Sequence, residues 1–314
     1  MKFNIVFSLP VHEHFEVVLD QILNITTLNP SCAIIIHESP VFDYANSLLS
    51  RESFCDNIIE LKLDSCVFIN PHRVRTGLYD IIQAHLANFK YAYELLQFDF
   101  FSMLSSNELF IKSGLYNNIK GYDCGLDKKH IFKGMPIDSK LKALDDDDLS
   151  TILDELNIKE VYSSQIEGSF YKKDIFKIIA TIIENHYDYR QMKIKYAREE
   201  VYFSTILWAL NKNGKYNVLF NGTFTFVPWN RKSLLVNMFD IKKYEKEDSG
   251  YFSVKRVDRN LADNIRAYIR QRYNYFAIEK KYLNVNRFSG IKFYFCDVRK
   301  MYGFYKSKFI HKDK

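Results

Sequence analysis

The chain has 314 residues, enough for one large domain or two ordinary ones, and its 47% hydrophobic content is normal for a protein that buries a core. Its net charge of +6 favours anionic partners without choosing among nucleotide phosphates, lipid headgroups and nucleic acid. Five scattered cysteines (Cys32, Cys55, Cys66, Cys124, Cys296), with no CxxC or Cys/His ligand spacing, argue against a disulfide framework or a zinc site and fit a reducing compartment.

From the N-terminus, MKFNIVFSLPVHEHFE reads as a strand followed by a helix start, because its apolar run is too short for a signal peptide and charges follow at once. Phe3 to Leu9 is the buried strand, and Phe15 to Leu28 is the helix after it. Cys32 to His37 is a second β-branched strand, Ile58 to Leu63 a possible third and Val67 to Ile69 a fourth. Thr76 to Leu96 has the clearest helical period, with Ile81, Ile82, His85, Leu86, Phe89 and Tyr93 on one face and Gly77 at its entry. Phe98 to Leu104 is another buried strand, ending in the polar turn Ser105-Ser106-Asn107-Glu108. Residues 117–160 read as irregular and polar. Tyr171 to His186 is an amphipathic helix, and Tyr196 to Leu210 opens on Glu199-Glu200 before an apolar helical stretch. Short aromatic strands follow from Asn213, then a basic helical region from Asp258 to Tyr275 and a basic, aromatic tail. Strands alternating with helices predict an α/β fold with a largely parallel sheet, whose ligands bind beyond the carboxyl ends of the strands. No run of about 18 apolar residues predicts a membrane span.

Glu199 and Glu200 have two readings. Acidic residues in a first helical turn are stabilised by the positive end of the helix dipole. Alternatively, one carboxylate at the rim of a cleft is a general base. The run Asp145 to Asp148 invites a divalent cation, yet it sits in a polar loop before LSTILDEL, where Asp148 or Ser150 reads as a helix cap. The basic loop His72-Arg73-Val74-Arg75 opens a helix and suits a phosphate as well as solvent. Lys255-Arg256, between a short strand and a helix, offers two cations for charge building on a diphosphate, or a solvated surface pair.

In order and spacing these pieces resemble glycosyltransferase family 14, the branching β-N-acetylglucosaminyltransferase and peptide O-xylosyltransferase type. NIVFSLPVH, ending at His12, is similar to the family's first strand, and AIIIHE to its second, with Glu38 where an Asp is usual. VRTGLYDIIQA is similar to a further motif through Arg75, Gly77 and Ala84. LSSNELFI corresponds to a turn in which Ser106, Glu108 and Phe110 replace Gly, Asp and Pro. Gly168-Ser169-Phe170-Tyr171 and TFVPW at Trp229 have counterparts. AREEVYFST places Glu200 on the catalytic Glu, and FSVKRV resembles a segment in which the order of Lys255 and Arg256 is exchanged. The resemblance spans nearly residues 3–265. It implies a GT-A-type domain over 1–265, with residues 266–314 a basic aromatic extension packed on it.

The resemblance further implies a UDP-sugar donor, inversion at the anomeric carbon and neither metal nor other cofactor. Glu200 would be the base, and Lys255 and Arg256 would steady the leaving diphosphate. Arg75, His12 and Glu38 would contact the nucleotide, and Glu108, Ser169 and Trp229 the sugar or acceptor. A bacterial surface polysaccharide or lipopolysaccharide acceptor would place the protein in the cytoplasm, with its basic tail resting on the anionic inner face of the membrane. Two other readings are a non-catalytic glycan- or nucleotide-binding protein on a degraded transferase fold, and a nucleic-acid-binding protein. The latter requires a continuous basic stripe, whereas the basic residues here are mixed with acids until the last third.

Overall fold

The computed structural model describes residues 2–40, 47–76, 81–131, 137–186, 196–229 and 234–275. The first half is made of strand–helix units: β1 (Lys2–Val11), α1 (Phe15–Leu28), β2 (Cys32–Glu38), α2 (Arg51–Glu60), β3 (Val67–Ile69), α3 (Ile81–Leu95) and β4 (Gln97–Met103). There follow β5 (Glu108–Phe110), α4 (Leu115–Ile119), β6 (Cys124–Leu126), β7 (Lys129–His130), α5 (Ile137–Leu144), α6 (Asp147–Glu155), β8 (Tyr162–Ser163) and β9 (Phe170–Lys172). The remaining elements are α7 (Lys173–His186), α8 (Arg198–Leu210), β10 (Val218–Phe220), β11 (Thr225–Phe226), α9 (Met238–Tyr244), β12 (Ser253–Lys255) and α10 (Asn264–Tyr273).

Seven described strands form one sheet in the order β10-β6-β9-β4-β1-β2-β3. β9 pairs antiparallel with both β4 and β6, while the other pairings are parallel, so β9 alone runs against the rest. This is the expected α/β fold on a mixed, largely parallel sheet. Such a sheet is covered on both faces, which explains the near-continuous apolar runs of β1 and β2. Alternation along β1 sends Ser8 towards His85 of α3, at 2.8 Å, and Phe7 towards Phe110 of β5, at 5.5 Å between rings. A second sheet has the order β11-β12-β5, its β5 following β4 in the chain, and β7 pairs with β8.

Four aromatic rings fasten α8 to the main sheet. Phe176 of α7 lies 4.5 Å from Phe101 of β4, 4.7 Å from Phe89 of α3 and 5.4 Å from Phe203 of α8. All four are buried, and each such ring adds buried area and a modest attraction between tilted rings. The first turns of α8 are therefore held from below, with their polar groups at the sheet's edge.

The structure departs from the sequence expectations in three places. Ile58 to Leu63 is not a strand: Ser50 caps a helix by accepting from Ser53 N at 3.1 Å, and Phe54 and Ile58 share its buried face before Lys62 turns left-handed at φ 58. A short apolar run carries too little period to separate the two. Residues 117–160 contain β6, β7, α5 and α6 rather than irregular chain. Tyr171 belongs to β9, so the following helix starts at Lys173. The compact unit runs Met1–Tyr275. Arg266 and Arg270 of α10, within the expected basic helical region, are buried on Asp20 of α1. Gly77 and residues 276–314 lie outside the described residues, and no described helix is long and apolar enough to cross a membrane.

Candidate active site

In a parallel sheet the strands all deliver their following loops to one edge. Here His12 follows β1, Glu38 ends β2, His72 to Arg75 follow β3, and Ser105 to Glu108 follow β4. Because β9 is reversed, the Glu167-Gly168-Ser169 turn before it arrives at the same edge. Gly168 has φ +77, and a Cβ there would clash with the backbone of Thr225, so the close approach of β11 requires glycine. The sequence-predicted residues are thus gathered on one side of the molecule, in three groups.

The first group surrounds Glu200. Asp146 caps α6 by accepting from Asp148 N at 3.2 Å, and its other oxygen accepts from Tyr196 Oη at 2.7 Å, Arg198 Nε at 2.9 Å and Tyr202 Oη at 3.0 Å. The acidic run therefore anchors the head of α8, with Asp146 as the cap rather than Asp148 or Ser150. No group of acidic or His/Cys residues with metal-holding geometry occurs among the described residues. Two residues beyond Arg198, the Glu200 carboxylate is half-buried and takes no hydrogen bond from a described residue. Burial, with the nearby Glu167 carboxylate, raises its pKa to about 7, against Lys255, Lys129 and Arg256. Glu199 is fully enclosed. Burial, with the Glu200 charge acting in the same sense, pushes its pKa well above the ordinary carboxylate value.

The second group is cationic. Lys255, at the end of β12, forms an ion pair with Glu167. Arg256 follows with φ 71, a strained value for a residue with a Cβ. Its guanidinium carbon stands 4.2 Å above the ring of Trp229, and its Nη1 is buried without a hydrogen-bond partner among the described residues. Trp229 is itself half-exposed and donates from Nε1 to Gln165 Oε1 at 3.1 Å. Burial lowers the pKa of Arg256, opposed by Glu167 and Glu200. His12 lies beside this group. Solvent reaches its ring, but the crowding of protein atoms lowers its pKa, with Lys255 and Arg259 acting in the same sense and Glu13 opposing. Ser106 Oγ is 3.2 Å from its Nδ1.

The third group consists of predicted residues already engaged by protein. Glu108 is buried and accepts from Thr225, from Ser253 at 2.6 Å and from Ser105 N at 3.2 Å, which ties β5, β11 and β12 together. Burial still raises its pKa to about 7 against these donors. Ser169 is buried and donates to Ile166 O at 2.7 Å within its turn. Glu38 is enclosed and receives Arg51 Nε at 2.9 Å, with Arg73 at 3.9 Å. Arg75 is exposed.

The sequence pattern missed Glu167, which pairs with Lys255 and raises the pKa of Glu200. Its only signal was adjacency to the Gly168-Ser169 turn. It also missed Lys129, which is set beside Glu200 by the short β7–β8 ribbon and paired with Asp127 at 2.7 Å.

No protein-family model matches the chain. Over 187 residues it is 27% identical to chondroitin synthase of Pasteurella multocida (strain Pm70), a match that takes in 55% of this chain and 18% of that protein. The chain thus spans under a fifth of this curated relative. Solved structures that superpose on it include the galactosyltransferase LgtC in complex with donor and acceptor sugar analogues, at a TM-score of 0.42 and 12% identity over 87% of this chain and 95% of that one. The apo-form glycosyltransferase GlyE of Streptococcus pneumoniae TIGR4 superposes at a TM-score of 0.43 and 9% identity, over 89% of this chain and 61% of that one.

Proposed function

We propose that the protein is a GT-A-type glycosyltransferase that moves a sugar from a UDP-sugar to a hydroxyl of a glycan acceptor, with inversion and without a required metal ion. The observation that carries this reading is the Glu200 carboxylate. It is presented at a helix head, held by no protein donor among the described residues, raised to about pH 7, and faced by Lys255 and Arg256. A base with that pKa is half ionised at neutral pH yet strong enough to take a hydroxyl proton. In the proposed step Glu200 removes the acceptor's proton while that oxygen bonds to the anomeric carbon, and the bond to the diphosphate breaks on the opposite face. Arg256 offers its unpartnered Nη1, and Lys255 its ammonium, to the departing charge. That supply of positive charge supports turnover without a metal. Trp229, beside Arg256, offers a flat face to the sugar.

The finer reading, a branching-type enzyme using a GlcNAc- or xylose-type donor, rests on the collinear motifs from His12 to Arg256. The relative named chondroitin synthase supports a bacterial glycan as acceptor. Surface polysaccharide or lipopolysaccharide synthesis at the inner face of the cytoplasmic membrane follows from that.

The test is turnover of UDP-, GDP- and CMP-sugars with and without EDTA. The reading requires a UDP-sugar response that survives EDTA and is lost in Glu200→Gln. A response abolished by EDTA removes the metal-independent mechanism. Nucleotide-sugar binding without turnover in the wild type favours the non-catalytic binding protein.

A further inference from the structure

Away from the Glu200 group, a groove of about 760 Å³ opens at the far end of α8. It is lined by Lys128, Lys159 and Lys212, with Glu160 as its one acid, and by Tyr162, Trp208 and Phe220 among other residues. Phe220 is 59% exposed, which an edge-strand phenylalanine does not need for folding. It is held flat on Trp208, with ring centroids 5.1 Å apart and planes 22° apart. Trp208 is fixed in turn by its Nε1 donating to Asp127 O at 3.4 Å. Lys128 Nζ stands 4.6 Å from the Trp208 ring and 4.9 Å from that of Tyr162. The result is a rigid aromatic platform rimmed by cations.

Its position adds the second argument. Phe220 ends β10 and Lys128 follows β6, so this rim of the groove lies at the sheet's carboxyl edge, as the Glu200 group does, while Tyr216 and Asn217, before β10, line its other end. Lys128 and Lys129 are neighbours with opposite allegiance: Lys129 acts on Glu200, while Lys128 covers Trp208. Along α8, eight residues separate Glu200 from Trp208, about 12 Å of helix axis. A chain entering the groove is therefore within a few sugar units of the base.

We propose that this groove binds an anionic glycan, one bearing uronate carboxylates, by stacking a sugar's C–H face on Phe220 and pairing its charges with Lys128, Lys159 and Lys212. C–H groups complement the negative face of an aromatic ring. Three cations against one acid select anionic over neutral sugars, and the pre-fixed ring pair lowers the ordering cost. Identifying the occupant as the acceptor rests on the transferase reading; the binding itself does not. Single-stranded nucleic acid also stacks on aromatics among lysines. However, one exposed ring and three lysines make a short site rather than a track along a backbone.

The chain's two tryptophans, Trp208 and Trp229, make the test direct. In full-length Trp229→Phe protein, emission reports Trp208 alone. Hexagalacturonate and a hyaluronan hexasaccharide are titrated against neutral maltohexaose and an oligodeoxythymidine. The proposal expects a salt-sensitive emission change with either uronate, at least about tenfold tighter than with maltohexaose, a margin that three charge pairs of modest strength supply. Phe220→Ala should weaken it several-fold, and Lys212→Glu should weaken it further, while UDP-sugar hydrolysis, measured for both with Trp229 in place, is unchanged. No response to either uronate, equal binding of maltohexaose, or tighter binding of the oligonucleotide overturns it. Uronate binding without UDP-sugar turnover by the protein that keeps Trp229 leaves the groove standing and removes the transferase reading; turnover without uronate binding does the reverse.

Discussion

Two carboxylates meet the head of α8, and they are treated in opposite ways. Asp146 is enclosed and surrounded by donors: two backbone N–H groups, two tyrosine hydroxyls and the Arg198 guanidinium, itself 3% exposed. Glu200, two residues after Arg198, is half-buried among further carboxylates and has no donor among the described residues. A buried charge with every lone pair engaged fixes geometry, whereas one partly desolvated and unengaged retains affinity for a proton. The first arrangement holds the helix so that the second can be placed. Sequence gives both the same acidic, helix-start appearance.

The largest expected effect separates the two. Glu200→Gln should lower kcat by about 10²–10⁴-fold, the usual contribution of a positioned base, with no loss of thermal stability. Asp146→Asn should do the converse. Breaking a buried ion pair costs about 3–5 kcal/mol, so its melting temperature should fall steeply while the folded fraction keeps turning over. Steady-state kinetics beside calorimetry reads both. Equal stability loss in the two variants would end the distinction.

The cationic group comes next. Arg256→Ala should reduce kcat by about 10²-fold or more, the usual cost of removing one preorganised donor to developing charge. Arg256→Gly sharpens the point, because glycine accepts the φ of 71 without strain. It should be the more stable of the two and equally slow. If glycine restored activity, the contribution of Arg256 would lie in its backbone and not its guanidinium.

pH gives a smaller but signed effect. The pKa of Glu200 is raised to about 7 from an ordinary 4.5, chiefly by burial. Between those values the folded protein keeps a proton that the unfolded chain has released, so this group's contribution favours folding at low pH and is lost as pH rises towards 7. Activity runs the other way: kcat/KM should rise through an acid limb near pH 7 as the base ionises. Glu200→Gln should abolish that limb in residual activity. Its stability advantage over the wild type should appear above pH 7 and vanish below about pH 4.5. Denaturation at a series of pH values measures the second of these.

Much of this was legible in the chain. β1, α1 and β2 announce themselves by β-branched runs and helical period, and the helix after Ala197 by Glu199-Glu200 before an apolar stretch. What stayed hidden depends on partners distant in sequence. Asp146 reads as one acid among four until Tyr196, Arg198 and Tyr202 arrive some fifty residues later. Glu167 has no local period or spacing, and only the reversed β9 brings it to Lys255. Glu108 and Ser169 have the right chemistry for sugars, but the second sheet and a tight turn engage them, which no linear pattern records. The arginines of α10 give no linear sign of burial because their acid, Asp20, lies at the other end of the chain.

The smallest effect tests whether the second group acts as one unit. Trp229 is exposed, so its removal should leave the fold intact, yet its ring sets the guanidinium of Arg256 from 4.2 Å away. A cation–π contact at such a site contributes about 0.5–1 kcal/mol, so Trp229→Leu should slow turnover by about two- to fivefold through this contact alone. In an Arg256→Ala background the same substitution should add almost nothing, since the cation it orients is gone. If Trp229 instead stacks on the sugar, its loss should raise KM in both backgrounds alike. The double-mutant cycle thus separates a residue that positions Arg256 from one that touches substrate.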